Sequence, residues 1–171
     1  MDTLQAIRSR RSIRSFTDQS IPPETIEALL RSAMAAPSAG NAQPWRFVVT
    51  EDRALLDRIA EIHPYASMAK EAPLSILVCG DPSVERHKGF WVQDCSAAVQ
   101  NLLLAAHASG LGAVWCGVHP NEAIVDSIRG LFKIPEGIIP LALLLIGHPN
   151  EAKSPADRFD ASWIHRDRWS E

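Results

Sequence analysis

The sequence predicts an α+β fold (α/β-like) in which helices flank a central, mainly antiparallel or mixed β-sheet. Helical patterns and short apolar runs interleave along the chain, which is typical of helices packed on a sheet. The last two apolar runs, 113–118 and 139–146, are continuous rather than alternating, as expected for strands covered on both faces. The 171 residues contain no internal repeat and fit one domain over 1–171, whose polar segment from about 150 to 171 is expected to be an extended C-terminal arm.

The first two helices are predicted from apolar spacing and from prolines. Residues 3–10 form a short amphipathic pattern in which Leu4 and Ile7 are expected to face inward. A longer helix is expected to begin after Pro22-Pro23, because proline is tolerated in the first helical turn, and to end before Pro37. Its apolar positions follow the i, i+3, i+4, i+7, i+8 spacing: Ile26, Leu29, Leu30, Ala33 and Met34.

Apolar runs and turn residues predict the remaining elements. The expected order is a strand at 46–50, a helix at 52–62, a strand at 74–79, a strand at 113–118, a helix at 122–132 and a strand at 139–146. The longest predicted helix, 90–109, lies before the third strand, with Gly110 just beyond its end. This helix is apolar on nearly all sides, so it belongs in the core or in a subunit interface.

Composition excludes several classes of protein. A net charge of −3 and a pI near 6.1 provide no general attraction for nucleic acid or for an anionic membrane. The longest apolar run, 138–146, is too short to span a bilayer. The three cysteines lie far apart without a Cys-x-x-Cys pair, so we expect reduced, buried thiols and no metal centre. These features predict a soluble, cytoplasmic protein.

Three arginines stand close together in the segment Arg10-Arg11-Ser12-Ile13-Arg14-Ser15-Phe16. Guanidinium groups offer planar, paired donors that suit a phosphate. The alternative is that these arginines point to water and complement the dipole at the end of the first helix. The arginines taken alone favour this alternative. Ile13 and Phe16 shift the balance somewhat toward binding, because anchoring these two side chains would hold Arg14 in a fixed direction.

The segment 36–45 joins a helix end to a strand and is rich in small and amide-bearing residues. Asn41 and Gln43 each carry a donor and an acceptor, which is enough to read the edge of a heterocycle. The small residues would let a ligand approach the backbone closely. An ordinary loop containing proline, glycine and asparagine is the equally weighted alternative.

Other signatures of catalysis are missing from the sequence. The segment Gly110-Leu111-Gly112 follows a helix and enters a strand, which is the reverse of a dinucleotide-binding turn. The chain has no hydrolase elbow, no zinc-binding helix motif and no phosphate loop, and its six histidines are scattered. This lack of acid–base machinery favours a bound cofactor as the carrier of the chemistry.

Taken in order along the chain, these segments resemble the nitroreductase family of flavin enzymes. The matching stretches are Arg10 to Phe16, Ala36 to Trp45, the helix 94–106, Gly110 to Trp115 and Gly147-His148-Pro149. The resemblance covers nearly the whole chain, which has the length of the short family members without long insertions. It implies a nitroreductase-like fold and an obligate homodimer, with FMN bound at two sites in the subunit interface.

The resemblance also implies which residues contact FMN. The arginine segment would hold the phosphate, the ribityl chain and the pyrimidine side through Arg10, Arg11, Ser12 and Arg14. The loop of the partner subunit would contribute Pro37, Ser38, Ala39, Asn41 and Gln43. The strand residues along the isoalloxazine ring would be Trp115, Cys116 and Gly117. Arg158 is expected to complete the phosphate site, with Lys153 as the second choice.

One position departs from the family pattern. Many relatives carry a lysine that approaches flavin N1 from the segment before the second strand. This chain has Ser67 at that position, and Lys70 follows one helical turn later. Either Lys70 or Arg14 would have to supply the positive charge.

The activity implied by the resemblance is a ping-pong oxidoreduction. NAD(P)H delivers hydride to flavin N5, and an electron-poor acceptor such as a nitroaromatic or a quinone then takes its place. No side chain is expected to act as a nucleophile, and no preference between NADH and NADPH follows. Two alternatives stay open: an enzyme specialised for one cell metabolite, and a flavin-storing or flavin-sensing protein without turnover.

Overall fold

The computed structural model describes residues 1–169, and within them a four-stranded antiparallel sheet forms the centre of the protein. Its strands are β1 (Trp45–Thr50), β2 (Leu74–Gly80), β3 (Gly112–Gly117) and β4 (Ile139–Gly147). Their order in the sheet is β1-β2-β4-β3, so β1 and β3 are the edge strands. β2 and β4 are buried along nearly their whole length, which explains their continuous apolar sequences.

Helices surround the sheet on both faces. In the described part of the chain they are α1 (Thr3–Ser9), α2 (Pro23–Met34), α3 (Arg53–Ile62), α4 (Trp91–Ala108) and α5 (Glu122–Phe132). Side-chain caps define three of the starts, and at α1 the side chain of Asp2 accepts the backbone N–H of Gln5 at 2.9 Å. Asp52 accepts hydrogen bonds from the backbone N–H groups of Ala54 and Leu55 at 2.8 and 3.3 Å, and Asn121 accepts one from Ile124 at 3.2 Å.

The two faces of the sheet carry separate apolar cores. On one face α2 and α4 bury side chains such as Leu29 and Leu102. On the other face α3 and α5 bury Ile59 and Ile128. This arrangement confirms the predicted α+β class with a mainly antiparallel sheet, and it places the long apolar helix α4 in the core.

The predicted orientation of α1 is wrong. Leu4 and Ile7 are 61% and 51% exposed, whereas Ala6 is the buried residue of this helix. α1 packs on α4 through its other side, where Ser9 Oγ lies 2.7 Å from Nε2 of His107. Leu4 and Ile7 are three residues apart and therefore share a face, which turns away from α4.

The segment after β4 runs along the surface. From 150 to 169 it contains one short helical turn, Ala161–Trp163, and its side chains Phe159, Trp163 and Trp169 are between 75% and 84% exposed. Residues 170 and 171 of the predicted arm lie outside the described residues. No helix within 1–169 is long and apolar enough to cross a bilayer.

Candidate functional site

β3 is an edge strand whose free side faces the arginine segment. Just beyond its end, the backbone N–H of Val118 donates to β4 at 3.0 Å, whereas the N–H of Ile13 donates to the carbonyl of Ala113 from the opposite side at 3.1 Å. Backbone groups alternate in direction along an antiparallel strand. Trp115 and Gly117 therefore direct their N–H and C=O groups away from β4, toward the side of the arginine segment.

A cavity of about 460 Å³ opens against this part of β3. Its lining residues are Arg14, Tyr65, Ser67, Met68, Val114, Trp115, Cys116 and Gly117. We call it the Arg14 cavity. It brings together Arg14 and the three β3 residues predicted from the sequence, and it includes Ser67. Lys70 lines a different cavity of about 530 Å³.

Arg10, which follows directly on α1, lies close enough to Arg11 and Arg158 for their positive charges to act on it. The pKa of Arg10 is lowered, first by its burial and then by the positive charges of Arg158 and Arg11. Within residues 1–169, no carboxylate lies within ion-pair distance of any of these three side chains. A cluster of cations without a counter-charge stabilises an anion. The arm thus brings Arg158 back to the segment with which the sequence analysis grouped it.

The start of the arm holds the backbone of the arginine segment. The ammonium group of Lys153 donates to the carbonyl of Ser12 at 2.9 Å and lies 3.0 Å from the carboxylate of Glu151. That carboxylate also accepts the backbone N–H of Arg14 at 2.5 Å. Lys153 is therefore engaged with backbone and carboxylate, which argues against its use as a phosphate ligand.

The loop between α2 and β1 has a distinctive backbone. Gly40, Asn41 and Gln43 have φ values of 59°, 55° and 50°, which lie in the left-handed region. Glycine and asparagine enter this region readily, but a glutamine there indicates local strain. Ala39 donates its N–H to Asp94 of α4 at 2.9 Å, so the loop is tied to the long helix.

This loop does not reach the Arg14 cavity of its own chain. None of its predicted site residues lines that cavity: Pro37, Ser38, Ala39, Asn41 and Gln43. Gln43 instead donates its N–H to the hydroxyl of Ser38 at 3.0 Å, and Pro37, Asn41 and Gln43 are exposed to solvent. Their action on a partner subunit stays a prediction.

Comparison with known proteins assigns the family. A model described as the nitroreductase family matches residues 7–63 and 63–148. The chain belongs to the nitroreductase family. The match spans both the arginine segment and the strands around the Arg14 cavity, and it confirms the resemblance seen in the sequence.

Relatives cover almost the full length of this nitroreductase. A protein from Methanothermobacter thermautotrophicus, provisionally named an NADH dehydrogenase/NAD(P)H nitroreductase, is 51% identical over 99% of this chain and 88% of its own. A crystal structure of a protein from Parabacteroides distasonis with the same provisional name has a TM-score of 0.94, 40% identity and 98% coverage of both chains. A provisionally named nitroreductase from Desulfovibrio desulfuricans, solved in complex with FMN, has a TM-score of 0.85, 34% identity and 99% coverage of both.

Sequence reasoning missed residues that shape the nitroreductase cavity. Tyr65 lines it and accepts, through its carbonyl, a hydrogen bond from the thiol of Cys116 at 3.5 Å. Burial raises the pKa of that thiol to about 11, so Cys116 stays protonated near neutral pH. Glu151 binds Arg14 across 137 positions of sequence, a separation that no local pattern reveals.

Proposed function

We propose that this nitroreductase is an FMN-dependent NAD(P)H oxidoreductase that reduces nitroaromatics, quinones or similar electron-poor acceptors. The observation that carries the proposal is the open backbone of β3 beside Arg14. It is joined by the positive charges of Arg10, Arg11 and Arg158, which have no carboxylate partner within residues 1–169. A planar heterocycle with hydrogen-bonding edges fits the first feature, and a phosphate fits the second. FMN joins both groups in one molecule.

The residues present fit this cofactor. Arg10, Arg11 and Arg158 supply the positive charge for the phosphate, and Ser12 adds a hydroxyl beside them. Arg14 is placed on the pyrimidine side because it lines the cavity of β3. Trp115, Cys116 and Gly117 lie along the ring and orient it through their backbone. When bound, FMN supplies a hydride acceptor and donor that no side chain of the chain offers.

The positive charge near flavin N1 is assigned to Arg14 rather than to Lys70. Arg14 lines the cavity, together with the Ser67 that stands at the family's lysine position. Lys70 lines a separate cavity instead. A cation at this place favours the anionic form of the reduced ring. Arg14 is thus both a binding and a tuning residue.

A second copy of the chain completes the site in this proposal. The exposed loop residues Pro37, Asn41 and Gln43 would then cover the ring from the partner subunit. The preformed backbone of this loop supports that role, because little ordering entropy remains to be lost on assembly. The working unit is a cytoplasmic homodimer with two FMN sites.

Turnover follows a ping-pong order, since NAD(P)H and the acceptor use the same open side of the site in turn. The chain positions them and excludes a competing nucleophile: the only cysteine at the cavity among the described residues, Cys116, is held as a thiol by burial. No covalent intermediate with a side chain is required.

The visible spectrum of the purified protein, with and without added FMN, tests the proposal directly. We expect flavin absorbance that disappears within the mixing step when NADH or NADPH is added anaerobically. Protein that binds no FMN would refute the proposal. FMN that stays oxidised with both nicotinamides would support the flavin-storing alternative, and strong preference for one acceptor in competition would support the specialised enzyme.

A further inference from the structure

His63 is a buried polar side chain directly beside the Arg14 cavity. It is 1% exposed and stands at the C-terminal end of α3. Its Nε2 lies 2.9 Å from the carbonyl oxygen of Gly117, and its Nδ1 lies 3.2 Å from the backbone nitrogen of Tyr65. Neither the proposed chemistry nor the family pattern of segments uses this residue.

The two contacts determine the tautomer of the ring. The backbone N–H of Tyr65 can only donate, so Nδ1 of His63 must be the acceptor. In a neutral imidazole the other nitrogen then carries the hydrogen. Nε2–H therefore donates to the carbonyl of Gly117, and both ring nitrogens are satisfied.

Both partners of His63 lie on walls of the Arg14 cavity. Gly117 ends β3, and Tyr65 stands on the segment that leads from α3 to the Ser67–Lys70 turn. The thiol of Cys116 makes a second hydrogen bond between these two walls, to the carbonyl of Tyr65. The imidazole of His63 thus joins the wall at Tyr65 to Gly117, which lies 54 positions from His63 in sequence.

The bond to Gly117 also determines which backbone groups at the edge of β3 are available to a ligand. Gly117 directs both its N–H and its C=O away from β4, as the alternation along the strand requires. His63 donates a hydrogen bond to the carbonyl of Gly117, so the N–H of Gly117 stays available. At this end of the cavity the strand therefore offers a donor, and a ligand with an acceptor atom at that position is favoured.

We propose that His63 is a positioning residue that clamps the two walls of the Arg14 cavity and leaves Gly117 to present its N–H to the ligand. The inference rests on the proposed function for the identity of that ligand, FMN. The clamp itself belongs to the chain and can be measured without a flavin.

The clamp is tested in the FMN-free protein through Tyr65, the single tyrosine of the chain. Incorporation of 3-fluorotyrosine gives one ¹⁹F resonance that reports on this wall. We expect a sharp line for the wild type and a broadened or split line for His63→Leu, which fills similar space without donor or acceptor. His63→Gln should restore the sharp line, because its amide can donate to Gly117 and accept from Tyr65.

The effect on ligand binding is measured by FMN titration of the same variants. His63→Leu should weaken FMN binding by about tenfold, the size expected for one lost hydrogen bond, and His63→Gln should recover most of it. Ile128→Ala is the matched control, because it truncates a fully buried residue of the apolar core on α5, away from the cavity. It should lower the melting temperature without changing the ¹⁹F linewidth or the FMN affinity.

The outcomes separate the clamp from the proposed function. A His63→Leu protein with the wild-type linewidth and wild-type FMN affinity overturns the clamp. Equal losses in His63→Leu and Ile128→Ala also overturn it, because they would show general destabilisation. If the wild type binds no FMN while the linewidths behave as expected, the clamp stands and the cofactor assignment fails.

Discussion

Arg10, Arg11 and Arg158 leave positive charge unbalanced in a chain whose net charge is −3. Like charges held together disfavour the folded state, and a bound phosphate relieves that repulsion. By linkage, FMN would therefore raise the free energy of unfolding as well as occupy the site. Added salt should reduce this gain, because it screens the partly exposed charges.

The first prediction concerns Arg14. Arg14→Ala removes the cation of the cavity, and we expect the FMN dissociation constant to rise by about 10- to 100-fold, as for the loss of a hydrogen bond to a charged group. The proposed dimer should persist, because the change leaves the arm and α4 intact. Flavin fluorescence titration and light scattering measure the two effects.

Arg31→Ala is the control for this substitution. Arg31 is an exposed arginine on α2 that pairs with Glu27 of the same helix, and its loss should leave FMN affinity unchanged. Full flavin occupancy in Arg14→Ala would contradict the placement of the pyrimidine side.

At the scale of elements, two glycines allow the arginine segment to lie close against the sheet. Gly112 of β3 and Gly147 of β4 are partners in the strand register. A Cβ at Gly112 would come within 2.7 Å of the side chain of Ile13, and one at Gly147 would come within 2.9 Å of Phe16. Close approach here is what places Arg14 at the edge of β3.

Gly112→Ala should therefore lower both the stability of the protein and its affinity for FMN. Displacement of Ile13 is expected to lower the free energy of unfolding by about 1–3 kcal/mol, as for overpacking of a core, and to weaken FMN binding. Gly130→Ala is the matched change on α5, where a Cβ meets open space. It should raise stability by about 0.5–1 kcal/mol, because alanine suits a helix interior better than glycine. Urea unfolding measures both, and an unaffected Gly112→Ala protein would refute the packing argument.

The helices and strands were predictable because their signals are local. Asp52 and Asn121 act as caps, and the predicted bounds of α5, 122–132, are those observed. The face of α1 was not predictable, because Leu4 and Ile7 have the right spacing but Ala6 is the residue that this helix buries. The contacts of His63 were hidden for the same kind of reason. They depend on tertiary approach, which apolar spacing does not encode.

At the scale of the whole molecule, the C-terminal arm is the segment whose apolar side chains are exposed to solvent in a single chain. Its exposed apolar side chains Phe159, Trp163 and Ile164 lie within six positions of Arg158. Large exposed apolar side chains can be buried when a protein partner binds. A second copy of the chain is the partner that the proposed split site requires, so assembly and cofactor binding would depend on the same segment.

Removal of residues 154–171 separates these roles. Burial of Phe159 and Ile164 would stabilise a dimer by about 1.5–3 kcal/mol each, so their loss should raise the dimer dissociation constant by at least about 100-fold. Analytical ultracentrifugation measures this change. Arg158→Ala keeps the apolar groups and should weaken FMN binding while the dimer remains. A truncated protein that is still a dimer would show that the arm is not the main contact.

The short open stretch of β3 also affects whether this sheet edge can pair with a strand of another chain. An uncovered sheet edge invites pairing with the strand of another chain. Here Ile13 donates to the carbonyl of Ala113 and His63 donates to the carbonyl of Gly117, so the backbone groups left open lie between Trp115 and the N–H of Gly117, about 7 Å. That length is too short for a neighbouring strand to pair with, yet sufficient for a small planar molecule. The contacts of Ile13 and His63 that shape a binding site therefore also disfavour aggregation through this edge.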